Sequence, residues 1–178
     1  MHARLRRSLC VAAAAAFAGA APIAASAARF EGVVTHVTDG DSLWVRPDDG
    51  AAPREIRING IDAPEICQAF GAEARDALSR RVLRRRVVVV THGEDDYHRT
   101  IARISLGRQD VGAWMVKSGH AWSYRFRGDV GPYRHDEARA RTAHRGLWAD
   151  AHPEMPRDFR VRHGSCRPAL SALPSRHG

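Results

Sequence analysis

The sequence predicts an α+β domain in which a small sheet of five strands is accompanied by about three helices. Two observations carry this prediction. Short segments with alternating or continuous apolar residues recur at strand length and are separated by turn residues. Longer segments repeat apolar residues every three or four positions, as an amphipathic helix does. The predicted strands are 30–38, 42–46, 54–61, 87–91 and 100–106, and the helices lie within 68–83, 110–119 and 131–146.

The first 27 residues are predicted to be an export signal rather than part of the fold. A basic N-terminal segment with three arginines precedes an apolar, alanine-rich run over 9–21. Residues 25–27 form a small-residue cleavage site. A transmembrane anchor is the alternative, but the run is short for a span and is followed by Pro22. We therefore expect cleavage after Ala27 and a periplasmic or secreted protein that keeps no membrane segment.

Removal of 27 of the 178 residues leaves 151, which is enough for one domain with its own core. The signal takes three arginines and no acidic residue with it, so the formal charge falls from +8 to +5. A basic exported domain suggests a polyanionic partner, and a generic basic surface is an equal alternative. We predict a monomeric domain over 28–150. A basic tail over 151–178 is expected to be extended, and disordered at least beyond Pro168.

The first three strands are predicted to form a meander with an acidic turn at one end. Asp39-Gly40-Asp41 joins the first two strands, and Asp48-Asp49-Gly50 joins the second to the third. An Asp-Gly-Asp triplet is a common hairpin loop, so by itself it is weak evidence for a metal site. In the third strand Ile56 and Ile58 alternate with Arg57, which places the arginine on the face opposite the isoleucines.

The end of the third strand carries most of the candidate chemistry, because one basic side chain and two carboxylates follow one another there. We hypothesise that Asp41 and Asp62 bind a hard cation, that Arg57 binds a phosphate, and that Glu65 handles a proton. Each residue also has a simpler interpretation. Arg57 could be a surface partner of Glu55, and Glu65 could be a charge at a helix entry.

The helices are predicted from apolar stripes and from their end signals. Apolar residues at every fourth position over 70–82 give the first helix one buried face. Asp110 is a candidate N-cap for a short second helix that stops at Gly119. Gly131-Pro132 opens the third helix and Gly146 ends it, after which Trp148 is expected to pack onto the core.

Residues 121–127 interleave three aromatic side chains with two arginines. Tyr124, Arg125 and Arg127 in this pattern could stack bases and pair phosphates, which makes them candidates for nucleic-acid binding. A half-buried strand has the same alternation, so both interpretations stay open at this point.

Two cysteines, Cys67 and Cys166, remain after removal of the signal. An even pair in an exported protein predicts a disulfide, with two unpaired thiols as the alternative. Cys67 lies two residues beyond Glu65, so the bridge would fix the tail beside the candidate site.

Six short motifs follow one another along the chain. They are Asp39-Gly40-Asp41-Ser42, Arg57 with Asp62-Ala63-Pro64-Glu65, Phe70-Gly71-x-Glu73-Ala74, Asp96-Tyr97-His98-Arg99, Gly119-x-Ala121 and Gly146-Leu147-Trp148. This ordered set resembles the staphylococcal nuclease (thermonuclease) family over residues 30–148. The resemblance implies an OB-fold, that is, a five-stranded β-barrel with about three helices. It also implies calcium-dependent hydrolysis of DNA and/or RNA phosphodiesters that leaves 3′-phosphate ends.

The resemblance also assigns roles by position. Asp41 and Asp62 match the family's calcium carboxylates, and the carbonyl of Ala63 matches a third ligand. Glu65 matches the catalytic glutamate. The two phosphate-binding arginines correspond to Arg57 and Arg99, and a tyrosine beside the nucleotide phosphate corresponds to Tyr97.

The sequence departs from the family pattern at two of these places. Ala63 replaces a threonine, which matters little if only the carbonyl binds the cation. His98 replaces a glycine beside Arg99, which leaves the backbone geometry of that loop open. Because the family's base-stacking positions do not align cleanly with residues 122–127, the preference between DNA and RNA also stays open.

Two rival classes remain: a binding module of the same fold that has lost catalysis, and a calcium-binding structural domain. The first is expected to lack at least one of the five charged site residues, and all five are present. The basic charge and the two site arginines argue against the second.

Overall fold

The computed structural model describes residues 28–125 and 129–166, and its centre is a closed barrel of five strands. The hydrogen-bonded order around the barrel is β3-β2-β1-β5-β6, and a parallel pairing of β3 with β6 closes it. The α+β class and the OB-type barrel expected from the sequence are confirmed. The strands are β1 (Arg29–Val37), β2 (Ser42–Pro47), β3 (Arg54–Ile58), β4 (Ile61–Asp62), β5 (Arg86–Glu94), β6 (Thr100–Leu106), β7 (Gln109–Asp110) and β8 (Trp122–Ser123).

The predicted meander of the first three strands is confirmed, with β1, β2 and β3 paired antiparallel in chain order. Burial alternates along them because one face of each strand lines the barrel. Ile56 and Ile58 are almost fully buried, whereas Arg57 between them stays partly exposed and lies opposite Ser42 of β2. The register thus fixes Arg57 beside the acidic turn that precedes β2.

The third strand is shorter than its apolar pattern predicted. It ends at Ile58, and a turn at Asn59 and Gly60 separates it from the two-residue β4, which pairs with β8. Gly60 has a positive φ of 81°, a conformation that glycine tolerates. The guanidinium of Arg57 closes this turn by donating 2.9 Å hydrogen bonds to the carbonyls of Ile58 and Ile61.

The described residues form four α-helices around the barrel, where about three were predicted. Asp110 caps α2 as predicted, and its side chain accepts a 3.0 Å hydrogen bond from the N–H of Ala113. A short 3₁₀ helix, Gly146–Ala149, packs Trp148 against Trp122, as expected for Trp148. These two side chains form a second apolar cluster with Ala140 and Leu147, beside the core of the barrel. The helices are α1 (Gly71–Val82), α2 (Val111–Lys117), α3 (Arg134–Thr142) and α4 (Pro156–His163).

The prediction of an extended tail after residue 150 is wrong for α4. Pro156 is a favourable first helical residue, and Met155, the extended residue before it, packs against the second apolar cluster. The predicted disulfide between Cys67 and Cys166 is present, with 5.8 Å between the two Cα atoms. The bridge and these contacts fold a segment that has little apolar periodicity of its own.

Two other predictions fall outside the described residues, namely the export signal over 1–27 and disorder beyond Pro168. Within residues 28–125 and 129–166, no helix is long and apolar enough to cross a membrane.

Candidate functional site

The acidic turn between β1 and β2 is held rigidly at one end of the barrel. The N–H of Asp41 donates to the side chain of Asp39, and the carbonyl of Asp41 accepts a 2.8 Å hydrogen bond from Ile58. Gly40 packs so tightly that an added Cβ would lie 2.6 Å from the Cβ of Ala63. These contacts aim the Asp41 carboxylate at the start of the segment that follows β4.

Asp62 and Ala63 meet Asp41 across this gap. The N–H of Ala63 donates a 2.8 Å hydrogen bond to Oδ2 of Asp41, which links two elements 22 residues apart. Oδ1 of Asp41 accepts a 3.1 Å hydrogen bond from the Ser42 hydroxyl. Both carboxylates are buried, at 7% exposure for Asp41 and 3% for Asp62.

Arg57 lies between the two aspartates. Its Nη2 is 3.1 Å from Oδ2 of Asp41 and 3.3 Å from Oδ1 of Asp62. Burial alone would lower the pKa of Arg57, but the charges of Asp41 and Asp62 outweigh it and raise the pKa above its ordinary value. The guanidinium is therefore permanently charged at the point where the sequence placed a phosphate-binding residue.

Glu65 lies beside Asp62, and a residue that the sequence had not indicated joins them. Arg160 of α4 places Nη1 2.8 Å from Oε1 of Glu65 and 3.3 Å from Oδ1 of Asp62, and its Nη2 is 3.2 Å from Oδ2 of Asp62. The N–H of Glu65 also donates to the side-chain oxygen of Gln68 at 3.1 Å. Arg57 and Arg160 thus approach Asp62 together.

Arg99 reaches the same group of residues through Ser42. Its Nη1 is 3.3 Å from the Ser42 hydroxyl, while Nε and Nη2 each lie 2.7 Å from Oδ2 of Asp95. Partial burial would raise the pKa of Asp95, but hydrogen bonds from Arg99 and from the Tyr97 N–H lower it. Asp95 is therefore an anion that holds the Arg99 side chain beside the site.

His98 replaces the glycine that the family resembled by this sequence has beside the arginine, and it adopts the left-handed conformation with a φ of 61°. A histidine can occupy this region at a modest energetic cost. The turn is closed by a 2.9 Å hydrogen bond from the His98 N–H to the Asp95 carbonyl and by a 3.0 Å bond from the Arg99 N–H to the Asp95 side chain. The substitution thus preserves a backbone conformation that glycine would favour.

The acidic side chains are crowded, and their pKa values reflect this. Burial raises the pKa of Asp39 to about 7, and the charge of Asp41 adds to the effect. Burial also raises the pKa of Asp62; Arg57 opposes this rise, and Asp41 adds to it. Such a cluster is stabilised by any further positive charge that comes close to it.

The pair of aspartates can be tested as a cation site by its chemistry. Across residues 28–125 and 129–166, no group of three or more histidine, cysteine, aspartate or glutamate side chains is suited to hold a metal by itself. Two buried carboxylates nevertheless reach a single positively charged nitrogen of Arg57, at 3.1 and 3.3 Å. Two carboxylates, the Ala63 carbonyl and water are oxygen ligands of the kind that Ca²⁺ accepts in irregular geometry. The residues present fit a hard cation.

Comparison with known proteins assigns the family. The sequence profile of the staphylococcal nuclease homologues matches residues 55–150. This chain belongs to the staphylococcal nuclease family. Three relatives are similar to this chain. "Protein ParB" from Escherichia coli is 36% identical, and the alignment covers 87% of this chain and 93% of the relative. "Uncharacterized endonuclease" from Haemophilus influenzae is 35% identical over 71% of each chain, and "Micrococcal nuclease" from Shigella flexneri is 34% identical over 75% of this chain and 82% of the relative.

The structure brings six of the predicted residues of this staphylococcal nuclease homologue together at one end of the barrel, and a seventh lies beside them. Tyr97 is 74% exposed, with the Arg99 guanidinium 5.4 Å from its ring centre. The six are Asp41, Arg57, Asp62, Ala63, Glu65 and Arg99.

Of the remaining predicted nucleic-acid-binding residues, Tyr124 and Arg125 have surroundings other than these six residues. Tyr124 is 41% exposed and lines a cleft of about 550 Å³ together with Arg103 and Tyr133. Arg125 is paired at 2.6 Å with Glu137, a buried carboxylate. Arg127 lies outside the described residues.

Sequence reasoning missed Arg160, although one signal pointed near it. The predicted disulfide already placed the tail beside Glu65, but the tail holds several arginines and no motif singled out one of them. Arg160 also lies beyond the stretch that the family profile matches.

Proposed function

We propose that this protein is a calcium-dependent nuclease that hydrolyses phosphodiester bonds of DNA and/or RNA and leaves 3′-phosphate ends. One observation carries the proposal: at one end of the barrel the buried Asp41 and Asp62 share the Arg57 guanidinium, and Arg160 joins Asp62 to Glu65. The names of the relatives support it, since one is a micrococcal nuclease and another an endonuclease.

In this proposal Asp41, Asp62 and the Ala63 carbonyl hold the calcium ion. When bound, the ion neutralises phosphate charge and orients the substrate and the attacking water. Asp62 is suited to this role because burial and the neighbouring Asp41 raise its pKa, so that a bound cation stabilises its charged form.

The arginines and the glutamate supply the remaining steps. Arg57 and Arg99 donate paired hydrogen bonds to phosphoryl oxygens, on which negative charge builds up during attack. Glu65 orients the attacking water and accepts its proton. The new bond joins the water oxygen to phosphorus, and the bond from phosphorus to the 5′-oxygen breaks. The 5′-oxygen takes up a proton from solvent and leaves as a hydroxyl, and Glu65 returns its proton to solvent.

The test is cleavage of a 5′-labelled oligonucleotide in calcium, in chelator and in magnesium. We expect cleavage in calcium only, since magnesium demands a tighter octahedral shell. Phosphatase should change the mobility of the products if they carry 3′-phosphates. A protein that binds the oligonucleotide without cutting it in any metal would instead be a binding module of the same fold.

Two substitutions test the metal ligands directly. Asp41→Asn and Asp62→Asn should weaken calcium binding, measured by calorimetry, and lower cleavage at limiting calcium. Asp49→Asn is the matched control, because Asp49 is exposed and its Oδ1, which asparagine retains, accepts the Ala51 N–H. Wild-type calcium affinity in both site variants would show that the ligands are misassigned.

We also propose that the protein is exported, as a periplasmic or secreted monomer, after removal of residues 1–27. The Cys67–Cys166 disulfide supports this location, because structural disulfides persist in oxidising compartments. N-terminal sequencing of the mature protein should begin at Ala28, and size-exclusion chromatography should give the mass of one chain.

A further inference from the structure

The C-terminal helix α4 is anchored beside the candidate site by three independent contacts. The disulfide joins Cys166, three residues past its end, to Cys67. The Gln68 side chain donates a 2.7 Å hydrogen bond to the carbonyl of Glu154, and Met155 packs with the second apolar cluster. The helix is thus fixed at both ends to the loop that carries Glu65.

The anchored helix directs one guanidinium into the site. Arg160 contacts both oxygens of Asp62 and Oε1 of Glu65. Its neighbours on the helix do not share this environment, since Arg157 is exposed and Val161 is 81% exposed. The helix has little apolar surface to bury, so delivery of Arg160 is its clearest contribution to the site.

The placement of Arg160 matches that of Arg57. Arg57 contacts Asp62 from β3, and Arg160 contacts the same carboxylate from α4. Its side chain is 36% exposed. A guanidinium has five N–H donors, and the contacts of Arg160 with the two carboxylates use three hydrogen bonds. Donors therefore remain for a phosphoryl oxygen.

We propose that Arg160 is a third phosphate-binding arginine of the active site, and that the Cys67–Cys166 disulfide holds it there. The inference rests on the proposed nuclease function and assigns to that site a residue from outside the barrel. The substrate group that it binds is a phosphodiester anion, either the scissile one or its neighbour.

The first experiment compares Arg160→Ala, Arg160→Lys and Arg157→Ala with wild type. In an oligonucleotide cleavage assay with calcium, Arg160→Ala should lower kcat by about 10²-fold, the lower end of the effect of losing an electrostatic stabiliser. Lysine keeps the charge without the planar fork, so Arg160→Lys should fall between alanine and wild type. Arg157→Ala removes an exposed arginine from the same helix and should match wild type.

The second experiment measures binding without turnover, using a nuclease-resistant phosphorothioate oligonucleotide in calcium at several salt concentrations. Loss of one phosphate contact should reduce the slope of log K against log[salt] by about 0.7 for a single strand. Arg160→Ala should show this reduction and Arg157→Ala should not. If wild-type protein binds but does not cut, the proposed nuclease function fails while this arm still decides whether Arg160 binds phosphate.

The third experiment tests the role of the bridge with the double variant Cys67→Ser/Cys166→Ser. If the disulfide acts through Arg160, removing the disulfide and Arg160 together should lower kcat little more than removing Arg160 alone. Multiplied losses would mean that the bridge acts on the site independently of Arg160. Near-ultraviolet circular dichroism of each variant shows that the barrel remains folded.

Two results would overturn the proposal. Equal kinetics and salt slopes for Arg160→Ala and Arg157→Ala would reduce Arg160 to a structural ion pair. A faster Arg160→Ala enzyme that also binds calcium more tightly by calorimetry, without substrate, would make Arg160 a competitor for Asp62 instead.

Discussion

At the scale of single residues, the site is a network of guanidinium–carboxylate contacts in which carboxylates hold each arginine in place. Arg57 is shared between Asp41 and Asp62, whereas Arg99 is held by Asp95. Fixed partners reduce the number of rotamers that a long side chain must lose when substrate binds. The arginines are therefore arranged before the phosphate arrives, as electrostatic stabilisation of a transition state requires.

This arrangement makes a kinetic prediction for two of the arginines. Arg57→Ala and Arg99→Ala should each lower kcat by about 10²–10³, because each removes a donor to developing charge. Arg108→Ala is the control, since Arg108 is an exposed arginine in the turn after β6. The measurement is steady-state cleavage in calcium over a range of substrate concentrations that reaches saturation. Losses confined to KM would assign the two residues to ground-state binding.

Arg125 shows why a sequence pattern can suggest two roles that only a structure separates. Alternating aromatic and basic residues predicted either a nucleic-acid surface or a half-buried strand. The Glu137 carboxylate is 2% exposed and contacts Arg125, Arg141 and the N–H of Ser123. A buried carboxylate requires such partners, so Arg125 has a structural task whatever else it contacts.

At the scale of elements, the sequence predicted all five barrel strands because each has one buried face, but it ended β3 three residues too late and β5 three residues too early. The limits of β1, β2 and β6 agree with their apolar patterns to within about one residue. The two-residue strands β4, β7 and β8 are too short to produce any periodicity. Closure of the barrel by β3 and β6 is a pairing between strands more than 40 residues apart, which local patterns do not encode.

The failure to predict α4 has a different cause. Helices are recognised by an apolar stripe, and α4 buries only Pro156 among its eight residues. Its position comes instead from a covalent bridge and from the ion pairs of Arg160. Long-range contacts of this kind leave no local trace in the sequence beyond a single cysteine.

The segment after α2 supports a prediction of pH dependence. His120 stacks on Phe70 at 5.8 Å between ring centres, and its buried Nδ1 has no hydrogen-bond partner in the described part of the chain. Burial lowers the pKa of His120 below its usual 6.5, and the charge of Arg80 lowers it further. The unfolded chain therefore binds a proton at a higher pH than the folded one does.

The sign follows from this difference in proton binding. The stabilising contribution of neutral His120 is complete above pH 6.5 and is lost as the pH falls through the lower folded-state pKa. The loss is at most about 1.4 kcal/mol per pH unit, and less because the ring is partly exposed. The free energy of unfolding of His120→Phe, measured by urea titration, should change less between pH 7 and pH 5 than that of wild type. His135→Gln, at an exposed histidine, should retain the wild-type slope, and a wild-type slope in His120→Phe would contradict the assignment.

At the scale of the whole molecule, two parts of the chain are stabilised in different ways. The barrel has a continuous apolar core that runs from Val34 to Ala121 and includes residues of β1, β2, β3, β5 and β6. The α4 segment adds few apolar contacts and is tied to the barrel by the bridge between Cys67 and Cys166, 99 residues apart. The chain-entropy model gives up to about 4–5 kcal/mol of stabilisation for closing a loop of this size.

This division predicts how the protein responds to loss of the disulfide. The denaturation midpoint of Cys67→Ser/Cys166→Ser should be lower than that of wild type. The free energy of unfolding should fall by no more than the roughly 4–5 kcal/mol that the chain-entropy model allows. The loss should be local first, because α4 then depends on ion pairs, the Gln68–Glu154 hydrogen bond and the packing of Met155. Hydrogen exchange should show fast amides over 156–163 while β1, β2 and β5 stay protected. If barrel and helix amides instead exchange together, the helix is an integral part of the cooperative unit and the bridge only adds to its stability.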